Sequence, residues 1–423
     1  MGSKAVIVTM IMTLVSSVFA AAETEPNMSR RNHFESLMEQ RDLLADDGIE
    51  FVAGFTGIYQ QNVRGGLSTH RKAGRLSGSY DLELSVESKR ILGFEGGYFF
   101  LHGEGSLSKS GGIDEPAVGS AFGVNADGAS RRSLDLVEFW YQHSFWDGKL
   151  LLRMGKIDLT GGFECRGCPV SFDGSLFAND ETSQFLNGAL VNNPTIPFPD
   201  YGLAVVVHYS PDDFWYISGG VQDAQADGRE TGFRTTFGGE DYFFYIVETG
   251  ITPHLNSANG PLQGAYRIGM WYDPQPKANS DRDAAGVYER DDAGLYISCD
   301  QMLAKENDDP EDWQGLGTFL RYGYADGRRN DITNFWSFGF SYQGIFEGRD
   351  DDVLGFGYAH GTFSDSANVT YTDDYEAAME MFYNAAVTEY LNISPSIQYV
   401  MNPGGNETVS DAVVLGVRVQ FIF

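Results

Sequence analysis

From Gly48 to the last residue the chain repeats one pattern: a run alternating apolar with small or polar positions, then a turn or loop. In 80–87, Tyr80, Leu82, Leu84 and Val86 take one parity, and Asp81, Glu83, Ser85 and Glu87 take the other. Trp336, Phe338, Phe340 and Tyr342 alternate with Ser337, Gly339, Ser341 and Gln343. Leu391, Ile393, Pro395, Ile397 and Tyr399 alternate with Asn392, Ser394, Ser396 and Gln398. The terminal run sets Val413, Leu415, Val417, Val419, Phe421 and Phe423 against Ala412, Gly416, Arg418 and Gln420. A period of two is the signature of a strand with one apolar face. Runs of about ten residues are what a tilted strand needs to cross a bilayer. Pro395 lacks an N–H and predicts a local interruption or bulge.

The pattern predicts sixteen strands, near 50–60, 76–87, 95–107, 132–145, 149–159, 201–209, 214–223, 241–252, 264–274, 293–302, 314–325, 334–345, 352–363, 376–387, 391–401 and 411–423. An even number closes a barrel with no unpaired edge in lipid. A soluble sandwich or solenoid also alternates, and the connections separate the two. Even-to-odd joints are tight, as at Trp146-Asp147-Gly148, Ser210-Pro211-Asp212-Asp213 and Thr388-Glu389-Tyr390, although 253–263 and 303–313 are longer. Odd-to-even joints are long: 108–131, 160–200, 224–240 and 275–292. Short turns on one rim and long loops on the other fit an outer-membrane barrel with both termini in the periplasm. Tyr59, Tyr98, Trp140, Tyr141, Trp215, Trp271, Tyr272, Trp336 and Tyr399 fall near strand ends, where aromatic girdles meet the interfaces. The expected fold is all-β, a transmembrane antiparallel barrel of sixteen strands over 49–423.

What precedes the barrel changes the compartment. Lys4, an apolar stretch at 5–18 and small residues at Val18-Phe19-Ala20 or Ala20-Ala21-Ala22 make a secretory signal peptide of 1–22. A polar, partly helical lead-in fills 23–48. A mean hydropathy of -0.26 excludes a multi-span helical protein but not a barrel, whose lumen face is polar. Lys+Arg 29 against Asp+Glu 59 leaves a formal charge of -30, which repels nucleic acid. Cys165 and Cys168 form a C-x-x-C that in an oxidising compartment reads as a local disulfide pinning a loop. The thioredoxin-like setting of a redox motif and a second ligand pair for zinc are both missing, so no metal or cofactor is implied. Cys299 stands alone in a strand.

With the apolar face in lipid, Arg153, Arg267, Arg321 and Arg418 fall on the lumen side, together with Asp81, Glu83 and Asp300. Charges facing a wet lumen cost little, so these can be plain lining. They can equally form a constriction: the guanidinium fork grips paired hydroxyls, and carboxylates accept hydroxyl protons. A neutral polyhydroxy solute suits such a mixed-sign wall better than phosphate, which calls for a lysine ladder. The segment 160–200, the third long loop, interleaves Phe163, Phe172, Phe177, Phe185 and Phe198 with Asn179, Glu181, Gln184, Asn187, Asn192 and Asn193. This suits sugar recognition, with Glu181, Gln184 and Phe185 as candidates, or packing on the barrel wall. No G-x-S-x-G, P-loop or H-E-x-x-H occurs, so an enzyme is not expected. A barrel hydrolase would need a Ser–His pair assembled in space, for example at His143.

Several stretches resemble the carbohydrate-selective porin (OprB) family. They are Arg41-Asp42-Leu43-Leu44-Ala45-Asp46-Asp47-Gly48-Ile49-Glu50-Phe51, then Asn62-Val63-Arg64-Gly65-Gly66-Leu67, and Leu152-Arg153-Met154-Gly155-Lys156-Ile157-Asp158. The loop Asn179-Asp180-Glu181-Thr182-Ser183-Gln184-Phe185-Leu186-Asn187 with Ile196-Pro197-Phe198-Pro199 is similar to the family's third loop. So is the end, Ile397-Gln398-Tyr399-Val400-Met401-Asn402-Pro403-Gly404-Gly405 and Asp411-Ala412-Val413-Val414-Leu415-Gly416-Val417-Arg418, to its last hairpin. The resemblance, over 40–423, implies a sixteen-strand barrel in the bacterial outer membrane passing small sugars by passive diffusion. Expected partners are those solutes, membrane lipid and, through the terminal Phe423, the barrel assembly machinery. A monomer and a trimer are both compatible. A general porin, a barrel hydrolase and an adhesive barrel are the alternatives.

Overall fold

The computed structural model describes residues 41–107, 111–127, 134–160, 172–178, 185–230, 232–278, 288–309, 312–365 and 371–423. The signal-like segment 1–22 and most of the lead-in lie outside these residues. Within the N-terminal unit, which ends at Phe51, residues 41–46 are helical.

The second unit, Val52–Phe423, is a closed antiparallel barrel of 16 strands. In chain order these are β1 (Ile49–Gly66), β2 (Gly74–Glu87), β3 (Gly97–Ser106), β4 (Asp135–Phe145), β5 (Leu150–Ile157), β6 (Gly202–Tyr209), β7 (Trp215–Asp223) and β8 (Phe243–Ile251). Then come β9 (Gly260–Asp273), β10 (Asp292–Lys305), β11 (Gly315–Ala325), β12 (Ile332–Gln343), β13 (Val353–Phe363), β14 (Tyr375–Thr388), β15 (Leu391–Met401) and β16 (Ser410–Ile422). Each predicted run carries one of them. Chain neighbours pair around the ring, and β1 pairs with β16 from Gly54↔Ile422 to Gly66↔Ser410. Ala53 and Phe423 exchange backbone bonds of 2.9 and 3.1 Å, so the seam is zipped to the last residue. Closure satisfies backbone groups that lipid could not.

Two local features differ from the sequence reading. The joint 253–263 is a hairpin rather than a loose turn, because His254–Ser257 pairs with the first residues of β9 from Gly260↔Ser257 to Gln263↔His254. Pro395 interrupts the ladder but adds no bulge. Its pairing with Val417 keeps the β15–β16 register, and toward β14 the pairs resume at Ala385↔Ile393 in the register they held at Phe382↔Ser396. A missing N–H costs hydrogen bonds there, not a residue.

The two faces of the wall divide as alternation predicts. Phe139, Met154, Val205, Val247, Ile268, Met270, Leu320, Phe338 and Leu415 point outward and are exposed. Inside, the described residues of the loops, 111–127, 172–178 and 185–201, pack on the wall and turn it into a core. One apolar cluster joins Trp140, Phe172, Ile196, Phe244, Trp271 and Tyr296. A second joins Phe185, Leu190, Phe319, Phe335 and Phe382, and a third joins Ile113, Val118, Val124, Val400 and Val414. Tyr98, Trp140 and Trp271 therefore belong to the interior and not to the lipid girdle. Trp140 and Tyr141, like Trp271 and Tyr272, are adjacent, and neighbours on a strand cannot share a face. Small inward residues make room for the loops. A Cβ at Gly317 would stand 2.0 Å from the Phe177 ring, and one at Gly357 would stand 2.8 Å from Leu190.

Candidate functional site

The four arginines all project inward, but the loops treat them differently. Arg321 on β11 is fully buried, with its guanidinium spent on loop backbone. Nη1 donates to the carbonyls of Leu190 (3.0 Å) and Val191 (2.9 Å), and Nη2 donates to that of Asp173 (3.0 Å). Arg267 on β9 pairs with Asp300 at 2.6 Å and donates to the Gly174 carbonyl at 2.8 Å. Asp300 on β10 is itself buried and accepts the Ser175 hydroxyl at 2.6 Å. Arg418 on β16 is 1% exposed. Phe185 is buried between the rings of Phe319 and Phe382. Arg321, Arg418, Asp300 and Phe185 are thus buried in this structure. Described residues of the long loop, Asp173 to Ser175 and Leu190 to Val191, bond to Arg321, Arg267 and Asp300.

Arg153 on β5 is buried as well but is bonded differently. Its guanidinium lies over the Trp140 ring, 3.9 Å from the centroid, and Nε donates to Gln142 Oε1 at 3.1 Å. Among the described residues its two terminal nitrogens have no hydrogen-bond partner. Stacking and one bond fix the fork's plane while leaving its donors available. Three strands along the ring, Asp81 and Glu83 of β2 share this inward face and are half-buried. Asp81 Oδ1 lies 3.1 Å from His102 Nε2, and His102 Nδ1 lies 3.5 Å from Glu138 Oε1. Glu138 also accepts Trp140 Nε1 at 3.0 Å and the Asp158 amide at 3.1 Å. Phe100 stacks on Trp140 with centroids 4.7 Å apart. The wall of β2–β5 thus presents a guanidinium fork, carboxylates and aromatic rings together.

Sequence reasoning passed over His102, Glu138 and Trp140, and also the groups that seat the loops. Glu376 on β14 accepts the amides of Ala121 (2.8 Å), Phe122 (3.3 Å) and Gly404 (2.6 Å). Glu380, one turn of the pleat further on, accepts those of Leu186 (2.9 Å) and Asn187 (2.7 Å). Glu248 on β8 accepts the Asp173 amide at 3.0 Å and the hydroxyls of Tyr216 and Tyr296 at 2.7 and 2.8 Å. Their one sequence signal is a carboxylate on the inward parity of a strand, beside Ala378, Phe382 and Asn384 on β14 and Phe244, Ile246 and Gly250 on β8. Asp173, in the loop, is buried, and its Oδ1 has no partner among the described residues. Burial pushes its carboxyl up to about 7, against the pull of Arg321 and with the push of Glu248.

Glu181, Gln184, Cys165 and Cys168 lie outside the described residues. Cys299 is a free, half-buried thiol on the outward parity of β10. His143 contacts the Tyr141 hydroxyl at 2.7 Å on the outer face. A Ser–His bond does occur inside, His208 Nδ1 to Ser218 Oγ at 2.8 Å. Both residues are buried, and among the described residues no carboxylate bonds to His208 to orient it as a base.

The sequence pattern of the carbohydrate-selective porin, OprB family, matches residues 71–423. Porin B of Pseudomonas aeruginosa is similar, 24% identical over 420 residues that cover 91% of this chain and 89% of that one. The high-pH structure of Pseudomonas putida OprB shares the fold with a TM-score of 0.76 at 21% identity, covering 91% of this chain and 96% of the other. The low-pH structure of that porin gives a TM-score of 0.54 at 18% identity. A closed barrel with its lumen narrowed by inward loops is the architecture such a porin requires, and this outer-membrane chain belongs to the carbohydrate-selective porin family, OprB.

Proposed function

We propose that mono- or small oligosaccharides cross this barrel by passive diffusion along the wall of β2–β5, with Arg153, Asp81 and Glu83 as the groups that select them. The observation that carries this is Arg153, 9% exposed and stacked over Trp140, whose terminal nitrogens have no partner among the described residues, while those of Arg321 are taken up by loop carbonyls. A fork of that kind donates to two neighbouring hydroxyls, carboxylates accept hydroxyl protons, and ring faces cover the apolar side of a pyranose. No energy source enters the scheme. A channel fits this arrangement better than a barrel hydrolase, since the buried Ser218–His208 pair has no orienting acid. Conductance in planar bilayers, titrated with a panel of sugars, is the test. A chain that opens no pore would sink the reading. Arg153→Ala should weaken sugar block of the current without closing the channel, and unchanged block would remove Arg153 from the selective wall.

We also propose that Phe423 is read by the barrel assembly machinery. The terminal residue packs its ring against Phe421, with centroids 5.6 Å apart, at the seam where the last strand meets the first. Deleting Phe423 should lower the amount of heat-modifiable, folded barrel in outer-membrane fractions. Wild-type yield would argue against it.

A further inference from the structure

Loop 158–201 is gripped at one turn by two wall residues of opposite charge. The turn is the short helix Gly188–Val191, whose ends leave backbone groups with no partner inside the helix. At its start, Asn187 caps Ala189 N with its own side chain at 3.1 Å, and Glu380 takes the amides of Leu186 and Asn187. At its end, Arg321 takes the carbonyls of Leu190 and Val191, and from the same guanidinium it also holds the Asp173 carbonyl. Asn187 Nδ2 adds a bond to Gln398 Oε1 of β15 at 3.2 Å. Glu380 and Arg321 are both buried beneath the turn, and a charged group bonded to backbone makes the stronger kind of hydrogen bond, so the two together hold the turn to the wall.

We propose that Glu380 and Arg321 act as a positioning pair that fixes this turn against the wall and thereby sets the bore of the sugar passage. The pair does its work through loop backbone and touches no solute. This rests on the reading that sugars pass along the wall of β2–β5.

The test uses the full-length protein refolded in detergent and carries Glu380→Gln, Arg321→Ala, Arg321→Lys and, as a buried inward control with no bond to the loop, Ser337→Ala. Gln presents a neutral carbonyl and an N–H₂ to amides that a carboxylate accepted twice, so the grip at the helix start weakens. Lys keeps the charge but converges on carbonyls from a single nitrogen, and should restore part of what Ala loses. Two readouts are taken on variants that retain heat-modifiable migration. Amide hydrogen exchange over 186–191 should accelerate in Glu380→Gln and Arg321→Ala, be intermediate in Arg321→Lys, and stay at the wild-type rate in Ser337→Ala. Single-channel conductance should rise and sugar block should weaken in the same order. A purely structural loss would lower the yield of folded channels without altering the conductance of each. Unchanged exchange in folded Glu380→Gln and Arg321→Ala overturns the proposal, and so does faster exchange with wild-type conductance and block. Exchange is read without any current. A wild-type chain that opens no pore would therefore count against the porin reading, while unchanged exchange would count against the pair alone.

Discussion

Arg321 and Arg153 carry the same guanidinium on the same inward parity, and their neighbours give them different work. Arg321 meets three loop carbonyls and ends as a clamp, whereas Arg153 meets a ring face and one amide oxygen and keeps donors for the lumen. Asp173 shows how a single carboxyl can tie this interior to pH. Its folded value of about 7 lies above the unfolded value of about 3.9, so the folded chain holds that proton more tightly. Its contribution to stability is then fully present below the unfolded value and is lost as pH rises through about 7. The groups facing it are Arg321, Arg267, Glu248 and Asp300, and none of the carboxylates offers it a donor. Asp173→Asn replaces a buried acid by a neutral amide of the same shape. The denaturant midpoint of the wild type should fall from pH 5 to pH 8 more steeply than that of Asp173→Asn. Parallel slopes would show that Asp173 does not carry the effect.

At the level of the element, the strands under the loops carry small residues on their inward face. β13 places Gly355, Gly357, Ala359 and Gly361 inward, and β11 places Gly317 and Gly323 there, each against a loop or wall side chain. These positions are notches into which Phe177, Leu190, Phe185 and Phe122 fit. Gly317→Val should therefore act as overpacking, costing about 1–3 kcal/mol. It should displace the loop at Phe177 without breaking the β10–β11 ladder, since Val is at home in a strand. Thermal unfolding in detergent checks the first part, and single-channel conductance checks the second. A variant as stable as the wild type, with the same conductance, would mean that the notch is not needed. The small residues were visible in the sequence, but as gaps in an alternating pattern they gave no hint of what fills them.

For the whole molecule, the closed ring decides what is inside. Strand positions, their even number, the long and short joints and the lipid-facing parity were all legible, because they rest on a local rule: neighbours on a strand point to opposite sides. The lumen parity of Arg153, Arg267, Arg321 and Arg418 followed from the same rule. The girdle aromatics Tyr98, Trp140 and Trp271 were misplaced where strand-end position was weighed above parity, and parity was the better guide. What no local pattern could reveal is the path of loops 107–134 and 158–201. A loop's course through the lumen depends on pairings hundreds of residues apart in sequence, such as Leu186 with Glu380 and Ser120 with Glu376. That path buries Arg321, Arg418 and Asp300 under loop backbone and side chains, whereas Arg153, also buried, keeps its terminal nitrogens unbonded among the described residues, on the same wall as the half-buried Asp81 and Glu83. The sequence by itself determined a sixteen-strand barrel and the face on which each charge sits, since alternation is written residue by residue. Only the tertiary structure decided which of those charges can meet a solute, because burial is set by what packs across the lumen and not by what lies next along the chain.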